Sequence, residues 1–142
     1  RLFAAWYDRL NAVVEGRVIP FRRLTAGVSE GSVLEIGGGT GANLAHYPPS
    51  TRITVLEPNP HMVRRLKRCA DRLGRPVTVV PGVGESVPFA GVSFDTMVTT
   101  LVLCMVSDLS QVMRETQGKA NPKRVNELLR QQLDSMGANP KA

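Results

Sequence analysis

The stretch Val33-Leu34-Glu35-Ile36-Gly37-Gly38-Gly39-Thr40-Gly41-Ala42-Asn43 constrains the chain more than any other. Its first four residues form a short apolar run of strand type. A glycine cluster breaks the run, and a helical pattern through about His46 follows before Pro48-Pro49 stops it. Strand, glycine turn and helix together let backbone N–H groups approach a ligand closely and aim a helix N-terminus at it. Gly37, Gly39 and Gly41 give G-x-G-x-G, a weak signal alone because many nucleotide sites use glycine loops. Two carboxylates sharpen it: Glu35 lies two residues before the first glycine, and Glu57 lies 20 residues after it.

Around that loop the chain alternates strands with amphipathic helices. Leu2, Phe3, Trp6, Leu10, Val13 and Val14 recur at helical spacing, and a second short helix is expected through about Leu24. Trp6 and Tyr7 read as core packing, with a lid over the glycine loop as the alternative. Arg52 to Leu56 is a second strand ending at Glu57. Asn59-Pro60 reads as a cap followed by proline at the first helical position. Met62, Val63, Leu66, Cys69, Ala70 and Leu73 then share one helix face, and Gly74 ends it. Val77 to Val80 is a third strand, and Glu85 to Phe89 a loop or short helix. Phe94 to Leu103 is an almost continuous apolar run, the pattern of a parallel strand covered on both faces. Strands alternating with helices predict a doubly wound, Rossmann-like α/β sheet. Ligands in such sheets bind beyond the carboxyl ends of the strands, at the switch point. Gly37 to Gly41, Glu57, Gly84-Glu85 and Thr99-Thr100 all fall at or near such ends.

Composition removes several chemistries. The 142 residues suffice for one domain, and no apolar run approaches the roughly 20 residues that cross a bilayer. No signal peptide is visible, and a cytoplasmic location is expected; the chain opens on Arg1, which leaves a lost N-terminal anchor open. Cys69 and Cys104 lack metal-ligand spacing and read as buried thiols of a reducing compartment. No metal cluster, paired carboxylates or Ser/His/Asp arrangement stands out, so no catalytic residue is assigned. His46 reads as a surface or packing residue and Asp95 as a turn residue. The net charge of +6 is concentrated at Arg22-Arg23, Arg64-Arg65 and Lys67-Arg68, which read as solvated helix faces. No aromatic residues interleave with them, which argues against a base-stacking platform.

A carboxylate at the end of the second strand can accept hydrogen bonds from ribose hydroxyls, in nicotinamide dinucleotide sites and S-adenosylmethionine sites alike. Ala42 stands three residues after Gly39, where the looser dinucleotide fingerprint takes Gly or Ala, so spacing leaves both cofactors open. A dinucleotide-dependent reductase is therefore one reading.

The run from Leu34 to Asn43 resembles the first motif of class I S-adenosylmethionine-dependent methyltransferases. Gly82-Val83-Gly84-Glu85-Ser86-Val87-Pro88-Phe89, followed by Ser93-Phe94-Asp95, resembles their G-D-A-E-x-L-P-F…S-F-D segment. Tyr47-Pro48-Pro49 and Thr100-Leu101-Val102-Leu103-Cys104 look like the thiol-methyltransferase branch of the methyltransferase-like proteins. The resemblance covers residues 1 to about 115. It implies that Glu35 and the backbone of Gly37, Gly38, Gly39, Thr40 and Gly41, with Asn43 beside them, hold the methionine portion of the cofactor. Glu57 would bind the ribose hydroxyls, Pro58 and Asn59 would flank the adenine, and Gly84 and Glu85 would sit near its edge. Thr99, Thr100 and Leu101 would line the floor near the sulfonium. The family often carries an acidic residue where this chain has Val83. The implied reaction is in-line methyl transfer to a small-molecule acceptor such as a thiol.

Beyond residue 115 the family's helix, turn and later strands do not follow. Gln111 to Arg130, with Gly118-Lys119-Ala120-Asn121-Pro122, resembles the C-terminal tail of the B subunit of aminoacyl-tRNA amidotransferases over residues 111–133. Asn121 caps and Pro122 opens a helix whose Val125, Leu128, Leu129 and Leu133 form one apolar stripe, read as a cover for the sheet. The expectation is thus a methyltransferase domain over 1–115, truncated to about four strands and preceded by N-terminal helices, with a helical tail over 116–142. Such a chain would expose an apolar edge strand open to self-association, with turnover impaired. The competing class is a nonenzymatic module whose tail binds tRNA or a protein.

Overall fold

The computed structural model describes residues 19–91, 93–100 and 107–119. The expected helix over residues 2–15, Leu101 and Cys104 at the end of the fourth strand, and the tail helix from Asn121 lie outside the described residues.

Four strands form one sheet: β1 (Ser32–Ile36), β2 (Arg52–Leu56), β3 (Val77–Val80) and β4 (Thr96–Thr99). Their order is β3-β2-β1-β4, and every pair is parallel. The chain steps outward from β1 to β2 to β3, then crosses back to lay β4 on the other side of β1. That reversal between β1 and β4 is the switch point. Register brings the strand ends level: Ile36 lies opposite both Leu56 and Thr99, and Leu56 opposite Val80. One further rung on each side continues the ladder, with Gly37 N–H donating to the Leu56 carbonyl (2.8 Å) and Glu57 N–H to that of Val80 (3.1 Å).

Residues 19–25 form helix α1, followed by a 3-10 turn at Ala26–Val28. Helix α2 (Pro60–Leu73) forms where the sequence places it. The Asn59 side chain accepts from His61 N–H, Pro60 opens the helix, and Gly74 closes it in the left-handed conformation at φ 58°. Helix α3 (Leu109–Gln117) starts at Asp108, whose carboxylate accepts from Gln111 N–H.

Alternation along β1 divides the core. Val33 joins Ile53, Val55, Val98, Leu44, Tyr47, Leu66, Ala70 and Ala26 on one face. Leu34 and Ile36 join Leu56, Val87, Phe94 and Val112 on the other, so α3 packs there through Val112. A sheet covered on both faces explains the near-continuous apolar strands.

Two expectations change. The fourth strand is described as Thr96–Thr99, preceded by Asp95, whose carboxylate accepts from Ser32 N–H (2.8 Å) and the Ser32 hydroxyl (3.0 Å). Asp95 is thus the turn residue its position suggested. The expected short helix after the glycine loop is instead a chain of turns, in which Gly41, Leu44 and His46 N–H donate to the carbonyls three residues before them. Gly39 at φ 54° and Gly41 at φ 86° are left-handed, a conformation glycine adopts without a Cβ penalty.

Candidate active site at the strand carboxyl ends

The glycine loop leaves β1 at the switch point, and each glycine serves a different need. Gly38 is buried, and a Cβ there would stand 2.2 Å from Val55 Cγ1 and 3.0 Å from Leu66 Cδ1. Only glycine lets the loop lie this close to β2 and α2. At Gly39 the requirement is conformational: φ is positive and nothing lies within 4 Å of a Cβ built there. The loop therefore presents main chain to open space above the ends of β1 and β2.

Glu57 closes that space from the β2 side. It is 6 % exposed, with Oε2 accepting from Gly39 N–H (2.9 Å) and Oε1 from Asn59 N–H (2.9 Å). Each oxygen has one main-chain donor and retains acceptor capacity. A pair of vicinal hydroxyls is a suitable complement to such a carboxylate. The cradle and its donor–acceptor set therefore fit the ribose of a nucleoside cofactor. Pro58 and Asn59 are exposed beside it, where an adenine could lie.

On the other side of the loop lies a second buried carboxylate. Glu35 is 2 % exposed on the α2 face of β1. Its Oε1 accepts from Asn43 Nδ2 (2.7 Å) and its Oε2 from the Tyr47 hydroxyl (3.0 Å). Asn43 Nδ2 also donates to Thr100 Oγ1 (3.1 Å), just past β4, and Asn43 Oδ1 accepts from Arg22 Nη1 (2.5 Å). Desolvation dominates here: burial pushes the Glu35 carboxyl up to about 7, against the opposing donors Asn43 and Tyr47 and the Arg22 cation, with Glu57 adding to the rise. Burial likewise raises the Tyr47 phenol, which remains a proton donor.

The sheet thus gathers Glu35, Gly37, Gly38, Gly39, Thr40, Gly41, Asn43, Glu57, Thr99 and Thr100 about one edge. Gly84 is buried on the α3 side, where a Cβ would lie 3.0 Å from Ile36 and 3.3 Å from Val112, so it permits close packing. Glu85 is the residue that the family resemblance places beside Gly84 near the adenine edge. Its Oε1 accepts from Ser107 N–H (2.8 Å) and its carbonyl from Gln111 Nε2 (2.8 Å), at the start of α3. Hydrogen bonds from its own N–H and from Ser107 hold the carboxyl below its usual range. Those contacts tie Glu85 to the chain at the start of α3. Leu101 lies outside the described residues.

Two members of the site were not singled out from the sequence. Tyr47 was noted only as part of a tyrosine-diproline run; twelve residues beyond Glu35, it carries no local signal of its contact. Arg22 was assigned to a solvated arginine pair. Arg23 is exposed, but Arg22 is 7 % exposed and turned onto the loop. Adjacent helical positions face different directions, and only tertiary placement selects which one turns inward. The arginines and lysine of α2, in contrast, are exposed as expected: Arg64, Arg65, Lys67 and Arg68.

The chain is similar in sequence and in fold to known proteins. The chain is 37% identical over 102 residues to thiol S-methyltransferase TMT1B of Homo sapiens, covering 70% of this chain and 42% of that protein. It is 39% identical over 87 residues to thiol S-methyltransferase TMT1A of Homo sapiens, covering 59% and 36%. The chain therefore spans less than half the length of these two relatives. Among solved structures, a SAM-dependent methyltransferase of Thermotoga maritima, described as a possible histamine N-methyltransferase, superposes with a TM-score of 0.63. It shares 26% identity, over 84% of this chain and 54% of that one. A family model described as a methyltransferase domain matches residues 34–123, which begin inside β1 and run past α3. With the four-stranded order and the glycine loop it contains, that match over more than half the sequence places the chain in the methyltransferase domain family.

Proposed function

We propose that this chain binds S-adenosylmethionine across the carboxyl ends of β1, β2 and β4 and passes its methyl group to a small-molecule thiol. The observation that carries the reading is Glu57, buried at the end of β2 and bridged to the N–H of Gly39, where the loop borders open space. In this reading Glu57 accepts from the ribose hydroxyls and Gly39 keeps that space clear. Glu35 accepts from the cofactor's ammonium, and Thr99 and Thr100 border the methyl. The bound cofactor supplies an electrophilic methyl on a sulfonium. Its departure as a neutral thioether needs no acid, so the chain's contribution is proximity and alignment. A thiolate acceptor needs no base at the moment of transfer. The thiol class is supported by the names of the relatives.

The described part of the stretch 111–133, residues 111–119, has a structural role in this reading. Val112, fully buried beneath Leu34 and Ile36, supports its first turns as cover for the sheet rather than as a tRNA contact.

The test is calorimetric titration with S-adenosylhomocysteine, with NAD as control. Saturable binding of the former alone is expected. A folded chain that binds neither, or NAD alone, removes the proposal.

A further inference from the structure

Arg22 is given no cofactor contact in the reading above, yet it is buried against the seat. It donates to Asn43 Oδ1 (2.5 Å), and Asn43 is 1 % exposed. An arginine side chain carries donors and no acceptor, so it accepts only one orientation of the Asn43 amide. With Oδ1 turned to Arg22, the Nδ2 group must face Glu35 and Thr100, which is where it donates. The reversed amide would put Oδ1 against Glu35. That arrangement repels a carboxylate but suits a protonated acid, whose O–H could donate to it. The identity of residue 22 thus decides which charge state of Glu35 the loop favours.

We propose that Arg22 is a positioning residue for the cofactor loop: by locking the Asn43 amide, it holds Glu35 as a carboxylate ready to receive the cationic amino group of the methionine moiety. This rests on the cofactor reading above, although its first consequence is a property of the free protein. Among the described residues, the charged and titratable groups around Glu35 are Arg22 from α1, Tyr47 from the loop and Glu57 from the end of β2. Asn43 and Thr100 are the neutral members of the cluster. Arg22 is the cation in that set, and it also lowers the Glu35 carboxyl through space. Burial works against it, so the two charge states are closely balanced and a single contact can tip them. Helix α1 becomes, in effect, part of the binding site without touching the ligand.

The experiment is carboxyl-carbon NMR titration of Glu35 in the free protein, wild type against Arg22→Gln, Arg22→Met and Arg22→Lys. Losing an adjacent cation moves a carboxyl by about one pH unit or more. The Glu35 midpoint should therefore rise by that amount in Arg22→Gln and Arg22→Met, and stay near wild type in Arg22→Lys. Either neutral variant suffices if the other fails to fold. An unmoved midpoint in a folded neutral variant overturns the proposal.

A second arm reads S-adenosylhomocysteine affinity against pH. Arg22→Gln should bind about tenfold more weakly than wild type at pH 6.5 and approach it at pH 9, since the deficit is one of deprotonation. A loss equal at all pH values would mark Arg22 as a structural residue only and overturn the proposal. Failure of wild type to bind would count against the cofactor reading, and the titration arm would still decide the role of Arg22.

Discussion

Replacing Glu35 by glutamine should stabilise this protein in alkaline solution and have little effect in acid. The substitution keeps the shape of the side chain and removes its charge. Asn43 Nδ2 can still donate to the new amide oxygen, and the Tyr47 hydroxyl can turn to accept from the new NH2 group. The hydrogen bonds therefore survive in altered direction. The cost of burying the charge does not survive, and its size follows from the titration. Glu35 releases its proton near 4.5 in an unfolded chain and near 7 in the folded one. Between those values the folded state holds the proton more tightly, so stability is full below pH 4.5 and falls as pH rises through 7. At about 1.4 kcal/mol for each pH unit, the loss above pH 8 is about 3 kcal/mol.

Urea unfolding at pH 5 and pH 8.5 measures this directly. Groups that titrate alike in both proteins cancel in the difference between them, leaving the Glu35 contribution. Glu35→Gln should unfold within about 1 kcal/mol of wild type at pH 5 and about 3 kcal/mol later at pH 8.5. With a urea slope of about 1–3 kcal/mol/M, that is a midpoint shift of roughly 1–3 M. An offset of the same size at both pH values would refute the reasoning, since it would mean that Glu35 does not titrate in the window that burial assigns to it. A destabilised variant at pH 8.5 would refute it more sharply, by showing that the Arg22 cation needs the charge more than the core rejects it.

The glycine loop separates stability from binding. Gly38→Ala forces a methyl into Val55 and Leu66 and should destabilise by about 1–3 kcal/mol, seen as a lower melting temperature. Gly39→Ala carries about 1 kcal/mol of left-handed strain but meets open space. It should therefore lose S-adenosylhomocysteine affinity by more than that strain explains, and equal losses in both assays would refute the division. Glu57→Ala should keep the fold, as judged by circular dichroism, and weaken S-adenosylhomocysteine by about tenfold or more; unchanged affinity would remove the ribose assignment. Tyr47→Phe deprives a buried carboxylate of one donor. It should cost about 2 kcal/mol at pH 8.5 and less at pH 5, where Glu35 is protonated, and a pH-independent cost would place the effect in packing instead.

The sheet was legible because its signals are local. Alternation, the Asn59-Pro60 cap and the Gly74 stop each specify backbone geometry within a few residues, and α2, β2 and β3 form where those signals lie. The turn after Gly41 was misread as a helix, because no residue in it announces that its N–H groups close three-residue turns instead of helical bonds. Glu57 was legible as a strand-end carboxylate, since position along a strand follows from counting. Arg22 and Tyr47 were not, because their partner Glu35 lies thirteen and twelve residues away in sequence. What joins them is the folding of α1 and the turn onto one face of β1. Nothing in the Arg22-Arg23 pair distinguishes the buried arginine from the exposed one before that packing exists.

The two buried carboxylates differ in a way that explains why only one reaches beyond its immediate neighbourhood. Glu57 is held by the N–H groups of Gly39 and Asn59, and main-chain donors remain whatever side chains surround them. Its geometry is thus fixed by the path of the loop and little else. Glu35 is held by the side chains of Asn43 and Tyr47, and Asn43 is in turn held by Arg22. A seat built from side chains can be altered one residue at a time without moving the backbone. One end of the proposed site is consequently rigid, suited to a part of the cofactor that does not change. The other end can have its charge adjusted from α1, and it lies beside Thr100, at the end of the sheet where the proposal places the methyl.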